Sequence, residues 1–111
     1  MKKLFKNYNL ELDKNEKKIV LTFVKQAIKQ VQGNSQYFAI EKSFSSIADK
    51  LNSGEEIIKL TKDEYYKLKL QISENTSQLK KQVDKSWFLK KWLYKSMIKQ
   101  YQSLIDKHFK D

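Results

Sequence analysis

No proline interrupts the 111 residues of this chain, and its only glycines are Gly33 and Gly54. Proline removes a backbone donor and clashes with the preceding turn, and glycine adds backbone entropy that a helix must suppress. A chain nearly free of both is biased toward long helices, with breaks confined to a few places. With 40% apolar and 13% aromatic residues it can bury a small core, so wholesale disorder is disfavoured. Its length makes residues 1–111 a single domain.

Two stretches read as copies of one strand-to-helix unit. Asn9-Leu10-Glu11-Leu12-Asp13-Lys14-Asn15-Glu16 aligns with Ile57-Ile58-Lys59-Leu60-Thr61-Lys62-Asp63-Glu64 at an offset of 48. Each alternates apolar and polar residues and then meets a helix start. In the second copy Thr61 and Glu64 form a T-x-x-E capping box, with Leu60 and Tyr65 placed for a hydrophobic staple. In the first, Asp13 and Glu16 take the capping roles, but Lys17 spoils the staple. The pattern suggests an internal repeat of residues 8–52 and 56–110, although capping chemistry alone would also produce it.

Helical periodicity follows each cap. Val20, Phe23, Val24, Ala27, Ile28 and Val31 form one stripe, which Gly33 can end in the left-handed conformation. Asn34 or Ser35 then caps a second helix with Tyr37, Ile40, Phe44, Ile47, Ala48 and Leu51 on one face, closed by Asn52-Ser53-Gly54. After Thr61 the stripe is Tyr65, Leu68, Ile72, Leu79 and Val83, weakened by polar residues at 73–77. Asp84 or Ser86 marks a break, and a last helix runs from about Trp87 to Phe109. The expected fold is mainly α with a minor β part. It is a small bundle of about four helices in β-α-α-β-α-α order, with a short two-stranded antiparallel ribbon near Tyr8–Leu12 and Glu56–Leu60. A plain four-helix bundle is the fallback.

The last helix is the most informative region for function. All 23 basic residues are lysine, and nine fall within residues 80–111 against only Asp84, Asp106 and Asp111. That surplus of six supplies most of the formal charge of +10. At 100° per residue, Trp87, Leu93, Tyr94, Met97, Ile98, Tyr101, Leu104 and Ile105 gather on a broad core side. Lys91, Lys95 and Lys99 gather opposite, with Phe88 and Trp92 among them. Large aromatics on a face that a lysine row keeps wet suggest a contact surface. The alternatives are that Trp92 covers the end of a bundle, or that this face is a homodimer seam. Lysine reproduces the bidentate arginine–guanine pair poorly, which disfavours sequence-specific duplex readout.

Catalysis finds little support. His108 is the only histidine and there is no cysteine, so a metal site or a thiol–histidine pair lacks partners. The acids sit where helix capping or lysine pairing explains them. No catalytic, metal or cofactor-binding residue is expected, and no small-molecule substrate. The absence of cysteine fits a reducing compartment, and no signal-peptide apolar stretch follows Met1–Asn7. The cytoplasm is the expected location. Phe44–Leu51 resembles the first helix of a helix-turn-helix, but the acidic, strand-like Asn52–Ile57 that follows is no recognition helix.

The repeated unit, Leu10-x-Leu12-Asp13-x-x-Glu16 and Ile58-x-Leu60-Thr61-x-x-Glu64 with the helix after it, resembles small uncharacterised helical proteins of Gram-positive phages and mobile elements. Lysine without arginine, with many Asn, Ile, Tyr and Phe, also fits AT-rich coding. The resemblance implies an inhibitor of host or defence machinery, such as an anti-CRISPR protein. Many of those are acidic DNA mimics, so a basic chain would act differently. Size and basicity resemble class II bacteriocin immunity proteins, basic four-helix bundles acting near the membrane. The leading expectation is a non-enzymatic interaction protein that binds nucleic acid or a nucleoprotein machine. Phe88, Lys91, Trp92, Lys95 and Lys99 would make the contact, with Lys81 and Lys85 as electrostatic support. An acidic protein surface is the second reading, and membrane-surface contact is disfavoured.

Overall fold

The computed structural model describes residues 8–83, 85 and 88–109, apart from the side chains of Phe88 and Leu89. Its elements run β1 (Tyr8–Glu11), α1 (Lys14–Val31), a 3-10 turn (Ser35–Tyr37), α2 (Phe38–Leu51), β2 (Ile57–Leu60), α3 (Lys62–Val83) and α4 (Phe88–His108). This is the expected mainly α chain in β-α-α-β-α-α order, with β1 and β2 paired as an antiparallel ribbon. The chain divides into two compact units, one ending at Lys67 and the other beginning at Leu68. The expected break at Asp84 or Ser86 falls on residues outside those described.

In the first unit the ribbon buries one face. Tyr8, Leu10, Ile58 and Leu60 are buried, while Asn9, Glu11, Ile57 and Lys59 are exposed, as the two-residue period of a strand requires. Leu10 lies opposite Ile58, so the 48-residue offset maps that pair onto itself. The same offset exchanges Asn9–Lys59 with Glu11–Ile57. The register is therefore the one a local two-fold between the two copies would produce. Tyr8 stacks on Tyr65 with ring centroids 4.5 Å apart, and Tyr66 meets both rings edge-on at 5.6 and 5.1 Å.

Both capping boxes form. Asp13 Oδ1 accepts from the Glu16 N–H at 2.7 Å and Glu16 Oε1 from the Asp13 N–H at 3.0 Å. Thr61 Oγ1 accepts from the Glu64 N–H at 3.1 Å and Glu64 Oε1 from the Thr61 N–H at 2.9 Å. Gly33 ends α1 with φ +81°, while Gln32 and Asn34 donate back to Ile28 and Val31. The start of the second helix differs from expectation. Asn34 does cap, accepting from the Gln36 N–H at 3.0 Å, but it caps the 3-10 turn, and α2 begins only at Phe38. Tyr37 is consequently exposed rather than part of the buried stripe.

α1 and α2 pack against one another through the stripes anticipated: Val20, Phe23 and Val24 on α1, and Phe44, Ile47 and Leu51 on α2, are all buried. Each such side chain contributes about 1.5–3 kcal/mol of transfer free energy. Glu64 ties α2 to the start of α3. Its carboxylate accepts from Lys50 Nζ and from the Ser46 hydroxyl, both at 2.6 Å, besides the Thr61 N–H. Burial pushes the Glu64 carboxyl pKa up, but the hydrogen bonds from Lys50, Ser46 and Thr61 outweigh it and hold the pKa below the ordinary value. Lys17 Nζ also donates to the Glu55 carbonyl.

In the second unit the α3 stripe continues through the buried Leu68, Ile72 and Leu79. The polar interruption at 73–77 is bridged by Thr76, which is buried and donates its hydroxyl to the Ile72 carbonyl at 2.8 Å. A buried hydroxyl satisfied on its own helix costs little, which is how the stripe passes the gap. On α4, Tyr101 and Leu104 are buried, as is Phe109 just beyond it. Burial raises the pKa of the Tyr101 phenol. Tyr94, Met97, Ile98 and Ile105 are half-buried. Leu93, expected on the core side, is instead 51% exposed. Trp87, assigned to the same side, lies outside the described residues. No described helix is long and apolar enough to cross a membrane.

Candidate interaction surface on the last helix

α4 has the residue types for a contact face, and the helix period sets their order. Lys91, Lys95 and Lys99 recur every four residues, so they share one side and span about 12 Å at 1.5 Å per residue. Lys95 and Lys99 are exposed and Lys91 is half-buried. Among the described residues none of these three side chains forms an ion pair or a hydrogen bond. Lys81, on the last turn of α3, and Lys85, just after it, are exposed as well.

Trp92 sits within this row with 73% of its surface open. That exposure leaves little of the indole against the protein, so a role as a bundle-end cover does not account for it. An indole in water forgoes a large apolar contact area. Leu93, which periodicity assigned to the core, is exposed as well, but it projects about 100° further round the helix than Trp92. The placement of the Phe88 side chain falls outside the description, although Phe88 opens α4.

Toward the C-terminal end the same face becomes a shallow groove of about 530 Å³ along Lys95, Ile98, Lys99, Gln102, Asp106 and Lys107. Gln102 spans its middle. It accepts from Lys80 Nζ at 3.4 Å and donates to Asp106 Oδ1 at 3.3 Å. Lys107 and His108 occupy the last turn of α4, where positive charge complements the helix dipole.

Of the seven residues expected to bind a partner, the structure brings Lys91, Trp92, Lys95 and Lys99 onto one helix face. It leaves Lys81 and Lys85 near the α3 terminus. Sequence reasoning missed the exposure of Leu93 and the Gln102–Asp106 pair that lines the groove. The second could have been anticipated from the four-residue spacing of an amide and a carboxylate. Among the described residues no group of three or more His, Cys, Asp or Glu side chains is placed to hold a metal ion. Comparison of the chain with protein-family models, with curated proteins and with solved structures gave no match.

Proposed function

We propose that this chain is a small, non-enzymatic cytoplasmic interaction protein that docks the Lys91–Trp92–Lys95–Lys99 face of α4 onto nucleic acid or a nucleoprotein machine. The observation that carries the reading is Trp92, 73% exposed inside a row of lysines that have no ion-pair partner among the described residues. Lysines alone would be a solvated face, and an exposed indole alone would be an isolated apolar residue. Together they supply phosphate neutralisation and a stacking surface. Lys81 and Lys85 add long-range attraction, as does the formal charge of +10. Inhibition of host or defence machinery, which the resemblance implies, would act through this face.

The test is fluorescence anisotropy with labelled DNA and RNA across a salt series, comparing the wild type with the triple variant Lys91→Glu, Lys95→Glu, Lys99→Glu. Binding at 50–100 mM salt that weakens steeply with salt and disappears in the variant is expected, because about three to six phosphate contacts persist in that range. Absence of binding there by the wild type would rule the reading out.

A further inference from the structure

We infer that the α4 face takes single-stranded nucleic acid, with little sequence preference, by stacking a base on Trp92 while one strand's phosphates run along Lys95 and Lys99. This rests on the nucleic-acid reading above and narrows it.

Three observations support it. First, the lysine row is a single line of about 12 Å, one row of positive charge of the kind that tracks the backbone of one strand. Second, an indole at 73% exposure can stack only on a base whose face is free. In a duplex those faces are buried in the helix stack, and the groove edges are read by hydrogen-bonding forks that a lysine row lacks. Stacking tolerates any base because every base has a π-face. Third, the amide that lines the groove, the group best suited to read a base edge in bidentate fashion, is already engaged. Gln102 is held between Lys80 and Asp106, which leaves the groove with lysine charge and the single hydroxyl of Ser103.

A lipid surface fits this face less well. An interfacial helix buries a continuous apolar stripe along its length. On α4 the large apolar side chains that stand exposed, among those described, are Trp92 and Leu93 alone, and beyond them the face turns to Lys95, Lys99, Gln102 and Lys107.

The experiment titrates the full chain at low salt with an unstructured 12-nucleotide strand, as DNA and as RNA, with a hairpin-locked duplex of the same composition, and with vesicles containing anionic lipid. Anisotropy and tryptophan emission are both recorded, for the wild type, Trp92→Ala and Trp92→Phe. The expected result is single-strand affinity about tenfold or more above duplex affinity, with quenched tryptophan emission. Trp92→Ala should lose roughly 5- to 150-fold in affinity, and Trp92→Phe should keep most of it. The Trp92→Phe protein, which retains Trp87, should show no quenching. Circular dichroism should show both variants folded, since Trp92 buries little.

Equal or tighter binding to the duplex with unquenched emission would overturn the inference and leave the nucleic-acid reading standing. Quenching that survives in Trp92→Phe would place the stacked ring elsewhere and also overturn it. Binding to vesicles with no binding to any oligonucleotide would overturn both.

Discussion

The two ends of the chain treat charge in opposite ways. In the first unit several charged groups are tied into the fold: Glu64 accepts from Lys50, Ser46 and Thr61, Lys17 donates to the Glu55 carbonyl, and Lys67 pairs with Asp63 at 3.0 Å. On α4, Lys91, Lys95 and Lys99 hold no such partner among the described residues, and an indole stands beside them in water. A buried carboxylate without donors would cost several kcal/mol, so its network is a condition of folding. An exposed lysine costs nothing when unpaired. The difference separates residues whose chemistry is consumed by the fold from residues whose chemistry remains available.

That contrast can be broken most forcefully in the core. Phe44→Ala, at a side chain with no exposed surface, should cost about 3–5 kcal/mol, read as a shift in the urea midpoint. A change below about 1 kcal/mol would mean that α1 and α2 are not packed as described. Next comes Glu64→Gln, expected to cost about 1–3 kcal/mol because it weakens the ties to Lys50 and to the Thr61 N–H together. The same carboxylate sets a pH dependence. Its folded pKa is depressed, so its contribution is present above the ordinary value of 4.5 and is lost as pH falls through the lower folded value. Urea midpoints between pH 7 and pH 3 should therefore fall less steeply for Glu64→Gln than for the wild type. An unchanged slope would assign the acid lability to other carboxylates.

The smallest effect sharpens the comparison from the surface. Lys67→Ala removes an i,i+4 pair whose Asp63 side chain is 66% exposed, together with a hydrogen bond from Lys67 Nζ to Ser43 Oγ at 3.1 Å, and about 0.5–1.5 kcal/mol should be lost. The ion-pair part of that loss should vanish in molar salt, leaving the part that belongs to the Ser43 hydrogen bond. The Lys91/Lys95/Lys99→Glu variant should behave the other way round, abolishing binding while its thermal unfolding stays close to that of the wild type.

Much of the fold was legible because its signals are local. A T-x-x-E box and a Leu60–Tyr65 staple state where a helix begins, and α3 begins there. Alternation in Leu10-Glu11-Leu12 and Ile58-Lys59-Leu60 states which side of a strand is covered, and the ribbon covers that side. What was missed depends on partners distant in sequence. Nothing near Glu64 announces that Lys50 and Ser46 will reach it. The 3-10 turn at Ser35–Tyr37 escaped because Asn34 signals a cap without stating which kind of helix follows. Leu93 was misplaced because α4 carries apolar residues over a wide arc, and periodicity cannot say where along that arc coverage stops. The lysine–Trp92 face was readable for the opposite reason, since a four-residue spacing fixes it without help from any other element.

The pairing of Leu10 with Ile58 also orders events in time. The two strands are joined through α1, the turn and α2, so the ribbon closes a loop of roughly fifty residues, and closure entropy delays such contacts until local structure has shortened the path. On a ribosome, β1 emerges long before β2. For that interval Leu10 and Leu12 have no second strand to cover them, and an alternating apolar strand with open edges is an invitation to pair with another chain. Synthesis that stalls before Ile57 would release the first helices together with an unpaired strand, a product more prone to aggregate than the completed chain.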